Sequence, residues 1–177
     1  MKNLVEEIAK VENELVANAT KDYGIYYANC IRTFEKLRTI KASGDKSFVF
    51  AVFWNQLKIY SALYILSLIR KHTVQSNLLL RSVYEILCYA CYALHETNPE
   101  KFADTTDGFL KPNKKVKDDV FNWLDKEFNE YSNAIKESKS QLNDLFIHAN
   151  FFSAMTHIKH FPDEQKIRAL CFDDEDN

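Results

Sequence analysis

Glycine and proline are nearly missing from this chain, three of each in 177 residues. So few breakers argue against a turn-rich β fold and predict long helices. An excess of one charge is also lacking, with 23 basic against 25 acidic residues and a formal net charge of −2. That balance gives no electrostatic reason to expect a nucleic-acid partner. Four cysteines, Cys30, Cys88, Cys91 and Cys171, are too few to impose a disulfide framework on a domain of this size. The opening stretch MKNLVEEIAKVENEL is charged throughout and has no apolar centre, so no secretory signal is expected. The expected setting is cytoplasmic, with reduced thiols.

Unbroken hydrophobic runs of spanning length are missing as well. Residues 48–69 reach the length of a membrane span, but Asn55, Gln56 and Lys58 interrupt them. The uninterrupted part, Ile59 to Ile69, is too short to cross, so a buried core helix is predicted and no membrane. Phosphate-binding glycine loops, a G-x-S-x-G elbow and an H-E-x-x-H pair are all absent. No cofactor or metal is expected.

What the chain does contain is helical periodicity. Its length suits one domain, and 46% apolar with 27% charged residues is the balance of a globular protein. Leu4, Ile8, Val11 and Leu15 form one helical seam. After residues 17–20 it resumes one register over with Tyr23, Tyr27, Cys30, Phe34 and Leu37, which predicts a kink or short break near Gly24. Ala42-Ser43-Gly44-Asp45 reads as a turn, with Gly44 a C-cap and Asp45 or Ser47 capping the next helix. Helices are then predicted over 47–70 and, capped by Thr73, over 74–96. Residues 48–94 hold five charged residues, where 47 residues at the chain's 27% would hold about 13. These two helices should form a central antiparallel pair.

Asn98-Pro99 ends the third helix, and 99–113 reads as a connector with at most one helical turn. Val116, Val120, Trp123, Phe128, Tyr131 and Ile135 mark a further amphipathic helix. Residues 138–141 are polar and either break that helix or lie on its wet side. A last apolar segment, Leu142 to Phe152, precedes Pro162. The tail KIRALCFDDEDN reads as a strand whose partner is not visible: either the chain was cut there or the run pairs across a dimer. The expected architecture is an all-α, up-and-down bundle of four to six helices in a single domain. Residues 1–45 form an N-terminal helix or kinked pair, 46–152 the core bundle and 153–177 a tail.

The strongest candidate site is a polar stripe on the third helix. Asn77, Arg81, Glu85, Cys88 and Tyr92 fall within roughly 80° of one another. Leu79, Leu80, Val83, Ile86, Leu87, Ala90 and Leu94 occupy the opposite face. Arg81 preceding Glu85 by four is the weaker order for helix stabilisation, so the pair needs another reason to exist. Wet faces elsewhere are rich in Lys and Glu, as Lys2, Glu6, Glu7 and Lys10 show, whereas this stripe has no Lys. A polar network inside the bundle is the first reading, ahead of a ligand or catalytic site and of a solvent face. If the network is structural, Arg81→Ala should strand Glu85 and cost roughly 3–5 kcal/mol.

His148, in Phe146-Ile147-His148-Ala149-Asn150, is placed to join Arg81 and Glu85 or to act as a general base near neutral pH. The candidate ligand-binding set is therefore Asn77, Arg81, Glu85, Tyr92, His148 and Asn150. His157 and His160 read as part of a solvated loop. Cys88, Cys91 and His95 share one face and could hold zinc with a fourth ligand, but no second CxxC pair is present and buried thiols explain the cysteines better. A redox role would need the pair at a helix N-terminus.

The run Leu78-Leu79-Leu80-Arg81-Ser82-Val83-Tyr84-Glu85 resembles a motif of an uncharacterised all-helical prokaryotic family that reads R-S-x-x-E between apolar stretches, with a histidine on a later helix. Here Ile147-His148-Ala149-Asn150 matches the second element, so the resemblance spans residues 48–152 through two short motifs. It implies a bundle in which Arg81, Glu85 and His148 meet, and it brings no activity. Families of this appearance are grouped loosely with HEPN ribonucleases, which use R-x4–6-H on one helix; no arginine here has a histidine at that distance. The leading expectation is a non-enzymatic binding or interaction module, a homodimer, whose polar network fixes packing or holds a small anion. The alternative is a hydrolase or HEPN-like ribonuclease acting through Glu85 and His148, with Arg81 stabilising developing negative charge.

Overall fold

The computed structural model describes residues 4–44, 48–104, 111–113, 115–144, 158–161 and 166–169. Five α-helices are found there: α1 (Leu4–Thr39), α2 (Phe48–Ile69), α3 (Thr73–Tyr92), α4 (Val116–Glu127) and α5 (Asn129–Leu142). The chain is an all-α bundle, trimmed by two short antiparallel strand pairs.

The antiparallel pair α2–α3 forms the centre, with α1 on one side and α4 and α5 on the other. Val49, Phe50, Trp54 and Leu57 of α2 meet Ile86, Cys88, Ala90 and Ala93 from α3 and the turn after it; Val116, Val120 and Leu124 of α4 close the same core. A second, smaller cluster joins Ala19 of α1 to Ile65 and Ile69 of α2.

Gly24 breaks α1 as the register shift predicts, with φ 48° and ψ −124°, a conformation side chains rarely adopt. Beyond that kink Glu12 reaches the α2–α3 turn, where Arg70 Nε lies 3.6 Å and His72 Nε2 3.4 Å from its carboxylate. The turn itself places Lys71 at φ 57°, a left-handed helix end on a non-glycine residue.

Several local expectations are corrected. Gly44 does not cap α1, which ends at Thr39; it turns the chain five residues later at φ 92°. Thr73 is the first residue of α3 rather than its cap, and His72 holds the N-cap position with no capping hydrogen bond from its side chain. The α3 helix stops at Tyr92 and relaxes into a turn. Asn98 then caps a single 3-10 turn, Pro99–Lys101, by accepting from the Glu100 amide. The amphipathic run from Val116 is two helices, because Phe128 leaves helical geometry at φ −141°, ψ 49°. Asp125 spans that corner, accepting from Ser132 Oγ at 2.6 Å and from Lys136 Nζ at 2.6 Å. Residues 138–141 continue α5 rather than break it.

The tail strand has its partner within the chain. β3 (Ile158–Phe161) and β4 (Lys166–Ala169) pair antiparallel, Ile158 opposite Ala169 and Phe161 opposite Lys166. His160 is thus a strand residue rather than a loop residue. A smaller pair, β1 (Ala103–Asp104) with β2 (Lys111–Pro112), ties down the connector.

Candidate functional site

The polar stripe of α3 does not act as one unit. Asn77 Nδ2 donates to the Thr73 carbonyl of its own helix at 2.9 Å. Tyr92 packs in an aromatic group, its ring centroid 5.5 Å from that of Trp123 and 5.9 Å from that of Phe102. Only the centre of the stripe makes a charged cluster, and it recruits a residue from α5. Lys139 Nζ donates to Glu85 Oε1 at 2.7 Å, while Arg81 Nη2 is 3.9 Å from the same oxygen. The ammonium also lies 4.9 Å from the Phe121 ring centroid, so α3, α4 and α5 meet at one cation.

Lys139 is 8% exposed, an unusual burial for lysine that requires a partner. Its position follows from α5: Ser132, Ile135, Lys139 and Leu142 recur at helical spacing on the inward face. That spacing was the available signal, hidden because residues 138–141 read as uniformly polar. Arg81 Nε is buried and makes no hydrogen bond among the described residues.

The electrostatics favour an ionised Glu85. Burial alone would push its carboxyl up, but the Lys139 hydrogen bond and charge, with Arg81 and Lys117, more than offset this and hold it below the ordinary glutamate value. Such a carboxylate is a poor proton donor. His148 and Asn150, expected beside this cluster, lie outside the described residues, as do His157 and Cys171.

Of the cysteine motif, Cys88 is buried in the packing and Cys91 partly buried. Burial pushes the Cys88 thiol up to about 11 and raises Cys91 as well, which keeps both protonated near neutrality. His95 lies past the end of α3 and stacks on Trp123 with centroids 5.6 Å apart. Among the described residues no group of three or more His, Cys, Asp or Glu is arranged to hold a metal ion.

Two features escaped the sequence reading. Tyr26 on α1 and Tyr64 on α2 bring their hydroxyls to 2.5 Å. The other is the outer face of α2, which is apolar where water should be. Phe48 is 62% exposed, Val52 50%, Ile59 53%, Leu63 43% and Leu66 40%. These residues and Asn55 span about 80° of arc, and the helix is apolar on both sides rather than amphipathic. By length and composition α2 is long and apolar enough to cross a membrane, and its inner face packs into the bundle.

Comparison of the chain with protein-family models, curated proteins and solved structures finds no match.

Proposed function

We propose that this chain is a helical interaction module that works as a homodimer, two copies joining through the outer face of α2. The carrying observation is the uncharged stripe Phe48, Val52, Asn55, Ile59, Leu63 and Leu66. A helix apolar on both faces needs burial on both. The stripe is also self-complementary. An antiparallel two-fold axis near Leu57 sets Phe48 against Leu66, Val52 against Leu63 and Asn55 against Ile59 of the second copy. Such pairing is what an isologous interface requires. From Phe48 to Leu66 the stripe covers 19 residues, about 27 Å of helix contact. Ala51 and Ala62 at its margins let two backbones approach closely. Asn55, its one polar member, falls beside the axis, where a single polar residue can fix register.

The Glu85–Lys139–Arg81 cluster serves in this reading as an internal brace that holds α5 on α3. Sedimentation equilibrium tests the assembly. The wild-type chain is expected to be dimeric at about 10 µM, and Ile59→Asp monomeric with its helicity intact. Ile25→Asp, on a still more exposed apolar residue of α1, should leave the dimer alone. A wild-type monomer at that concentration, or capture by neutral liposomes in place of self-association, would overturn the reading.

A second reading concerns a small anion. Arg81, Lys139 and Lys117 surround the single carboxylate of Glu85, leaving the cluster with excess positive charge. Phosphate or acetate that raises Tm in the wild type and not in Arg81→Gln would support an anion there. The hydrolytic alternative draws no comparable support, because Glu85 is committed to Lys139.

A further inference from the structure

On the side of α2 opposite the outer stripe, α1 and α3 leave a slot of about 390 Å³. α1 packs along α2, and side-chain hydrogen bonds tie the two helices together on either side of the slot. Tyr23 Oη donates to the Leu68 carbonyl at 2.8 Å, and Trp54 Nε1 donates to the Leu37 carbonyl at 3.2 Å. Between these anchors Leu57 and Ile65 form the floor, with Phe34 and Leu37 on one wall and Leu80 and Val83 on the other. The volume falls in the range of small-molecule sites, roughly 300–1,000 Å³, which are mostly apolar with a few placed polar groups.

The slot's polar groups are gathered and uncharged. Tyr26 and Tyr64 share their 2.5 Å hydrogen bond at its lining, with Asn29, Cys30 and Thr33 also contributed by α1 and Ser61 on the floor. Tyr26 is half exposed, which places the pair toward the mouth. Among the described residues no Asp, Glu, Lys, Arg or His lines the slot. Burial pushes the Tyr64 phenol and the Cys30 thiol above their usual ranges, so neither supplies a charge near neutral pH. An anionic or cationic ligand would surrender its hydration without finding a countercharge. A hydroxyl, in contrast, can donate to one tyrosine oxygen or accept from the other, whichever of the two donates within the pair.

We propose that this slot binds a small neutral amphiphile with a single hydroxyl head, the apolar body lying on Leu57 and Ile65 and the hydroxyl meeting Tyr26 and Tyr64. The site is independent of the subunit pairing proposed above, since the two surfaces lie on opposite sides of α2. Decan-1-ol and decanoate are the probes, titrated calorimetrically at pH 7.5. The alcohol is expected to bind once per chain, and decanoate at least about tenfold more weakly for want of a countercharge. Tyr64→Phe should weaken decan-1-ol about fivefold, the worth of one neutral hydrogen bond. Ser61→Phe fills the floor and should abolish binding; Leu80→Trp narrows the wall and serves if the first variant melts early. The monomeric Ile59→Asp chain should bind the alcohol as the wild type does, so failure of the dimer and failure of the slot are read separately. Equal binding of decanoate, undiminished binding in the filling variants, or no heat from decan-1-ol up to its solubility would each overturn the proposal.

Discussion

Lys139 and Glu85, 54 residues apart in the chain, meet at 2.7 Å and fasten α5 to α3. The lysine is the more buried partner, its side chain 11% exposed against 27% for the glutamate. Lys139 therefore carries more of the interaction than Arg81, which stands 3.9 Å away and on the same helix as Glu85. The expectation that Arg81→Ala alone would strand Glu85 is revised accordingly. Arg81→Ala should cost about 0.5–1 kcal/mol, as a partly exposed helical pair does. Lys139→Ala should cost about 2–3 kcal/mol, below the fully buried case because water reaches Glu85. Urea unfolding of both variants, and of Glu85→Gln with Lys139→Ala, would show a coupling of about 1–2 kcal/mol. Additive losses would refute the brace.

Acid should loosen the same contact. The folded Glu85 carboxyl titrates below its ordinary 4.5, so the native state binds its proton more weakly than the unfolded chain does. Its contribution is therefore complete above the unfolded value and is lost as pH falls through the folded one. Asp125, lowered by its hydrogen bonds from Lys136 and Ser132, acts in the same direction. Stability should fall as pH drops below about 4.5, and Glu85→Gln should fall less steeply over that range. Parallel slopes for the two proteins would remove Glu85 from the account.

Gly24 should resist replacement. A Cβ there meets nothing within 4 Å, so the cost of Gly24→Ala is purely one of backbone at φ 48°. A loss of about 1–2 kcal/mol is expected, together with disturbance of the Glu12 contacts to Arg70 and His72 beyond the kink. A variant of unchanged or raised stability would mean that α1 straightens without penalty.

Cys88 should behave as a packing residue. With its thiol raised to about 11, it should react with iodoacetamide at pH 7.5 at least about tenfold more slowly in the folded protein than in guanidinium. Peptide mapping after a timed exposure gives the rate, and fast labelling of folded Cys88 would contradict its placement.

Much of the architecture was legible because it depends on local chemistry. Residues 48–94 carry few charges and few breakers, and they do form the central pair α2–α3. The register shift around Gly24 does mark a kink. The break at Phe128 was not legible, since Trp123, Phe128 and Tyr131 keep an apolar spacing through it. What decides the corner is Asp125 bonding Ser132 and Lys136 across it. The pairing of β4 with β3 was hidden for the related reason that strand pairing is non-local.

The sequence by itself determined that this is a helical protein, that residues 48–94 form its centre and that α1 kinks near Gly24. Tertiary structure alone decided that Lys139 pairs with Glu85, that the outer side of α2 is left apolar in a single copy, and that α1 and α3 leave a slot lined by Tyr26 and Tyr64. Periodicity records which side of a helix is apolar. It does not record which helix, or which empty space, that side will face, because that depends on how the other helices pack.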